Sequence, residues 1–125
     1  MPVYLDNNAT TQLDPRVLDA MDPYLLNVYG NGSSLHRYGR LIRSAIEQAR
    51  EQIAAAVKAH PDQIVFTSGG TEANNLVLKG VAAYSVPAKM LVSAIEHTSL
   101  REPALALRKD GWIIGDIPVL NNGVL

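Results

Sequence analysis

The chain has 125 residues, 47% of them apolar, with a formal net charge of −1 and no cysteine. That length fits one ordinary domain with a real core, and a small, mixed charge gives no reason to expect nucleic acid or an acidic membrane as partner. Without cysteine, these residues hold no disulfide, thiolate metal site or cysteine nucleophile.

The opening stretch MPVYLDNNATT carries neither the basic nor the apolar region of a secretory signal. No apolar run approaches the ~20 residues of a spanning helix, so the expectation is a cytoplasmic protein that makes no use of a membrane. Val3 to Leu5 reads as a short strand, followed by the polar run Asp6 to Thr11. Asp14-Pro15 opens a helix, with Asp14 as N-cap and Pro15 at the first helical position. Its apolar side is Val17, Leu18 and Met21, and it is expected to stop near Asp22-Pro23. Asn27 to Gly39 is rich in Gly, Asn and Ser and reads as an irregular loop long enough to be functional.

Arg40 to Ala59 shows the clearest helical period, an apolar stripe of Leu41, Ile42, Ala45, Ile46, Ala49, Ile53 and Val57. His60-Pro61 ends it. Ile64 to Thr67 reads as a strand, Thr71 to about Tyr84 as a helix and Lys89 to Ala94 as a strand. Thr98 to Lys109 reads as a helix interrupted early by Pro103, Trp112 to Val119 as a strand region, and Asn121-Asn122-Gly123 as a turn. This alternation predicts an α/β layer with a mainly parallel sheet and flanking helices. The last residues, Val124-Leu125, leave an apolar pair just past the turn, which reads as an interrupted protein.

Ligands of open α/β sheets bind beyond the carboxyl ends of the strands. The turn Ser68-Gly69-Gly70-Thr71 sits at such an end and leads into a helix. Unpaired backbone N–H groups and the helix dipole suit a phosphate there, with the Ser68 and Thr71 hydroxyls as further donors. A plain tight turn, with Thr71 capping the helix and Glu72 favoured by its dipole, explains the same residues. Neither the nucleotide P-loop nor G-x-G-x-x-G is present. Glu96-His97 follows the next strand and lies at the same edge of the sheet. Its imidazole can stack on a flat ring or shuttle a proton, or simply cap a turn. His36 reads as bonded within its loop and His60 as lying at a helix end. The histidines lack close helical spacing, so no metal site is expected.

Four motifs, YLDNNATT, GNGSSLHRYGR, IVFTSGGTEANNLVLKG and SAIEHTSL, together resemble the cysteine desulfurases of the class V aminotransferase family. The resemblance implies a fold-type I enzyme that uses pyridoxal 5'-phosphate (PLP) to take sulfur from L-cysteine, leave alanine and pass the sulfur, held as a persulfide, to an acceptor protein for iron–sulfur clusters or thiocofactors. It implies a homodimer. It makes Gly70 and Thr71 the cup for the PLP phosphate and His97 the histidine that stacks on the ring and takes part in proton transfer. It puts Asn7, Asn8, Ala9 and Thr10 on the substrate side, and Asn31, Ser33, Ser34 and His36 near the active site and the dimer interface. Gly32 departs from the family, which usually has proline there.

The family's Schiff-base lysine, the aspartate on the pyridine nitrogen, the substrate-binding arginine and the mobile cysteine match nothing in this sequence. Lys58, Lys79, Lys89 and Lys109 fit no Schiff-base motif. The fold expected is therefore the N-terminal portion of a three-layer α/β, PLP-dependent transferase-like large domain. Residues 1–39 would form an arm, a helix and the active-site loop, and residues 40–125 the first part of the PLP-binding domain. These residues alone are expected to be inactive. Two readings stay beside this one: a selenocysteine lyase or other class V aminotransferase, and a non-catalytic half-site or binding module.

Overall fold

A computed structural model describes residues 3–124. They pack as two compact units, Met1–Ile64 and Val65–Leu125. In the first, α1 spans Pro15–Leu26 and α2 spans Arg37–Val57. The Asp14 carboxylate caps α1, accepting from the Arg16 backbone N–H at 2.8 Å. The helix does not stop at Asp22-Pro23 as expected but runs through Pro23 to Leu26. Proline costs an interior helix one bond to the carbonyl four residues back. Here that carbonyl belongs to Asp19, an exposed residue that water can satisfy.

Helix α2 begins three residues earlier than the expected Arg40, because His36 caps it and accepts from the Gly39 N–H at 3.4 Å. The preceding loop folds back onto its first turns. Arg43 Nε donates to the Gly32 carbonyl at 2.8 Å, Arg40 donates to the Leu35 carbonyl, and the rings of Tyr29 and Tyr38 stack with centroids 6.4 Å apart. Gly39 is buried against this loop, and a Cβ on it would run into the Ser34 carbonyl. His60 caps the 3-10 turn Pro61–Gln63, with the Gln63 side chain bonding back to the His60 N–H at 2.8 Å.

The second unit is built as α3 (Gly70–Tyr84), β1 (Lys89–Ser93), α4 (Thr98–Ala106) and β2 (Ile113–Ile117). The strands pair in parallel, in register from Lys89 opposite Ile113 to Ser93 opposite Ile117. The connection between them is α4, prolonged by the 3-10 turn Leu107–Asp110 and ended by Gly111 at φ 88°. Pro103 does not interrupt α4, which continues to Ala106 before it tightens. Val92, Ala104, Leu107 and Trp112 form the buried apolar core of this unit, and Arg101 reaches from α4 to Asp116 on β2 at 2.7 Å.

Two strand expectations fail. Val3–Leu5 and Ile64–Thr67 are irregular, and among the described residues the sheet has only β1 and β2. A strand's backbone groups are satisfied by a neighbouring strand, not within the segment. At Ile64 the carbonyl takes the Arg50 guanidinium instead.

Candidate functional site

Residues 67–70 leave the irregular segment and enter α3. Gly69 is the N-cap residue and makes no side-chain cap, so Gly70, Thr71 and Glu72 occupy the first three helical positions. Thr71 is thus inside the helix rather than its cap. Its carbonyl accepts from Asn75 Nδ2 at 2.9 Å. A Cβ on Gly69 or Gly70 would meet nothing within 4 Å. The space over this turn is open, and the backbone there can be approached closely.

The Ser68 donors are directed elsewhere. Its N–H and its hydroxyl both donate to Glu72 Oε2, at 2.6 and 2.7 Å. The backbone donation, then the hydroxyl, holds the Glu72 carboxyl below its ordinary value. Ser68 therefore orders the turn, and a phosphate at the mouth of α3 would be met by the Gly70 and Thr71 N–H groups and the exposed Thr71 hydroxyl. That donor set fits the phosphate of PLP.

His97 stands at the start of α4 as its N-cap. Its Nδ1 accepts from the Ser99 N–H at 3.1 Å and lies 2.8 Å from Ser99 Oγ. Asn74, on the second turn of α3, donates through Nδ2 to the same Oγ at 2.9 Å. Helices α3 and α4 pack together, so this bond ties the helix of the glycine turn to the one that carries His97. The imidazole is exposed while Ser99 and Asn74 are half-buried. The ring is thus held at one nitrogen and open at the other, which suits stacking against a flat ligand.

Asn8, Ala9 and Thr10 lie in the first unit, in a turn closed by the Ala9 and Thr10 N–H groups on the Asp6 carbonyl at 3.2 and 3.4 Å. Gly70, Thr71 and His97 belong to the second unit, on adjoining helices. His36, like His60 and His97, caps a helix start. Sequence reasoning passed over Asn74 and Ser99. A serine two residues after a histidine that opens a helix is at capping spacing, its N–H within reach of the ring. The reach from Asn74 spans 25 residues and leaves no sequence signal.

A glycine turn and a capping histidine thus open neighbouring helices of a parallel α/β unit. The aminotransferase class-V profile matches residues 3–125, and the chain belongs to that family. Its relatives carry a more particular name. The chain is 47% identical over 127 residues to the mitochondrial cysteine desulfurase of Drosophila melanogaster, covering 99% of this chain and 28% of that one. It is 50% identical over 123 residues to the cysteine desulfurase IscS of Dictyoglomus turgidum, covering 97% and 31%. Among solved structures, a NifS-like protein superposes with a TM-score of 0.86 at 37% identity, covering 95% of this chain and 33% of that one. DndA from Streptomyces lividans superposes with a TM-score of 0.73 at 39% identity, covering 92% and 33%. The chain spans about a third of the length of these relatives. The α/β, PLP-dependent transferase-like fold expected from the sequence is the fold of these neighbours.

Proposed function

We propose that the protein is a PLP-dependent cysteine desulfurase, with L-cysteine as substrate, alanine as product and a sulfur-acceptor protein as partner, working as a homodimer. The observation that carries this reading is the open donor turn at Gly70-Thr71 joined, through Asn74 and Ser99, to the helix of His97. Identity of 47–50% to relatives named cysteine desulfurases supports the substrate.

PLP, when bound, supplies the electron sink that lets bonds at the substrate's Cα and Cβ break. The residues described here bind and orient. The Gly70 and Thr71 N–H groups and the Thr71 hydroxyl would hold the PLP phosphate, with the α3 dipole adding to the attraction. The His97 ring would stack on the cofactor, its Nδ1 held by the α4 cap and its Nε2 left to carry a proton. The family resemblance assigns Asn8, Ala9 and Thr10 to the substrate side. In the overall reaction the cysteine Cβ–S bond breaks and the sulfur joins an enzyme thiolate as a persulfide. The substrate carbon gains a proton to become alanine's methyl group. The cysteine and lysine this requires belong to no motif within residues 1–125.

The test uses the complete protein. It is expected to convert L-cysteine to alanine in equal amount to the persulfide formed, and Thr71→Ala is expected to weaken PLP binding about ten-fold, the range for a hydrogen bond to a charged group. Alanine from L-selenocysteine alone would favour a selenocysteine lyase. No alanine from either, with PLP unbound, would favour a non-catalytic module.

A further inference from the structure

We infer that Ser99 and Asn74 are positioning residues that hold His97 in its Nε2–H form and couple that state to α3, the helix of the glycine turn. This deepens the reading of His97 as the residue facing PLP and rests on it for its consequence, but the geometry stands by itself.

A backbone N–H only donates. The Ser99 N–H lies 3.1 Å from His97 Nδ1, so in the neutral ring this nitrogen carries the lone pair and the proton resides on Nε2. Ser99 Oγ, 2.8 Å from the same nitrogen, has one hydrogen to give and lone pairs to fill. Asn74 Nδ2 donates into one lone pair at 2.9 Å, which leaves the hydroxyl hydrogen to point at Nδ1. The chain of donors runs Asn74 to Ser99 to His97, and every step disfavours a proton on Nδ1. The imidazole then presents a donor at Nε2 and no acceptor on its exposed side. His36 and His60 also cap through Nδ1, each accepting from a backbone N–H, and the His60 nitrogen lies 3.3 Å from Asp62 Oδ2 as well. At His97 the capping serine also takes a bond from another helix, that of the glycine turn.

The experiment is 15N NMR of the histidine rings in the complete, histidine-labelled protein at a pH where the rings are neutral. The ratio of Nε2–H to Nδ1–H at His97 is read in the wild type, Ser99→Ala, Asn74→Ala and Asn74→Asp. The wild type is expected to be Nε2–H. Ser99→Ala removes one of two donors and should lower the ratio about five-fold, the weight of one net hydrogen bond. Asn74→Asp should lower it further than Asn74→Ala. A carboxylate only accepts, so it draws the Ser99 hydrogen to itself and leaves Oγ to accept from Nδ1–H. The signals of His36 and His60 should stay in place, which separates this effect from a general loss of structure.

A wild-type ring in the Nδ1–H form, or one ratio shared by all four proteins, would overturn the inference. The absorption spectrum of bound PLP in His97→Ala tests the underlying reading apart from it. An unchanged spectrum alongside the shifted ratios would leave the network standing and remove His97 from the cofactor.

Discussion

Glu72 illustrates how one residue can change the meaning of a motif. Read in sequence, Ser68 and Thr71 both offer hydroxyls to an anion. In the fold, Glu72 turns back one helical turn and takes both Ser68 donors, so only the backbone beyond Gly69 and the Thr71 hydroxyl remain for a ligand. The contact has a pH signature. A carboxyl whose folded-state pKa is depressed stabilises the fold above its unfolded value and loses that contribution as pH falls through the folded one. For Glu72 the Ser68 donors are the cause. A carbon-13 titration should therefore place its midpoint below that of glutamate in an unfolded peptide. Ser68→Ala should move it back part of the way, since the backbone donor survives. A midpoint that ignores the substitution would mean that the hydroxyl plays no part.

The same scale separates two glycines. At Gly39 a Cβ would collide with the Ser34 carbonyl and lie 2.8 Å from the Asn31 carbonyl. These are backbone atoms of the loop that folds onto α2, and they cannot rotate away. Gly39→Ala should cost about 3 kcal/mol, the upper range for forcing extra atoms into a packed site. At Gly32 a Cβ would meet Ile46 Cδ1 at 3.5 Å and the Arg43 nitrogen at 3.7 Å, ordinary contacts. Gly32 also has no left-handed φ. Gly32→Ala should instead stabilise by about 0.4–1 kcal/mol by restricting the unfolded chain. Denaturant unfolding of the complete protein distinguishes the two signs, and equal effects would refute the packing argument.

At the scale of elements, what could be read in advance followed local chemistry. The stripe of α2, the Asp14-Pro15 start of α1 and the alternation of helix and strand after residue 64 are all set by neighbours a few positions apart. Helix ends were less legible. Pro23 looked like a stop and Pro103 like an interruption, yet both helices continue past them. Strands were the least legible, because an apolar run of four residues becomes a strand only when another segment lies alongside it. Lys89–Ser93 has that partner in Ile113–Ile117, whereas Ile64–Thr67 has none of its kind among the described residues. Trp112 is the largest buried side chain of the second unit's core, at 8% exposure, just ahead of β2. Trp112→Ala should cost about 3–5 kcal/mol, seen as a lowered denaturant midpoint with the slope unchanged.

For the molecule as a whole the apolar surface is the governing quantity. The chain exposes 10211 Å². A compact monomer of 13.5 kDa would expose roughly 6,500 Å², and two separate units of half that mass roughly 7,900 Å² together. Much of the excess is apolar: Val17, Leu18, Met21, Tyr24 and Leu25 on α1, and Leu76, Val77 and Val81 on α3, are each at least 43% exposed. Residues 1–125 on their own should therefore bind an apolar dye strongly, unfold without a sharp transition and hold PLP weakly. A sharp transition with no dye uptake would show that these units suffice for a closed core.

Residue type and short-range spacing were enough for the α/β order, the glycine turn Ser68 to Thr71 and the candidacy of His97, while the family came from the resemblance of four motifs. The first three depend on backbone donors, caps and periodicity that act within a turn or two of helix. Three-dimensional packing alone decided that Glu72 claims Ser68, that all three histidines cap helices, and that Asn74 reaches Ser99 across 25 residues. Those pairings are set by how α3 lies against α4 and by where each turn closes, and a side chain has no means of encoding a distant partner except through the fold that delivers it.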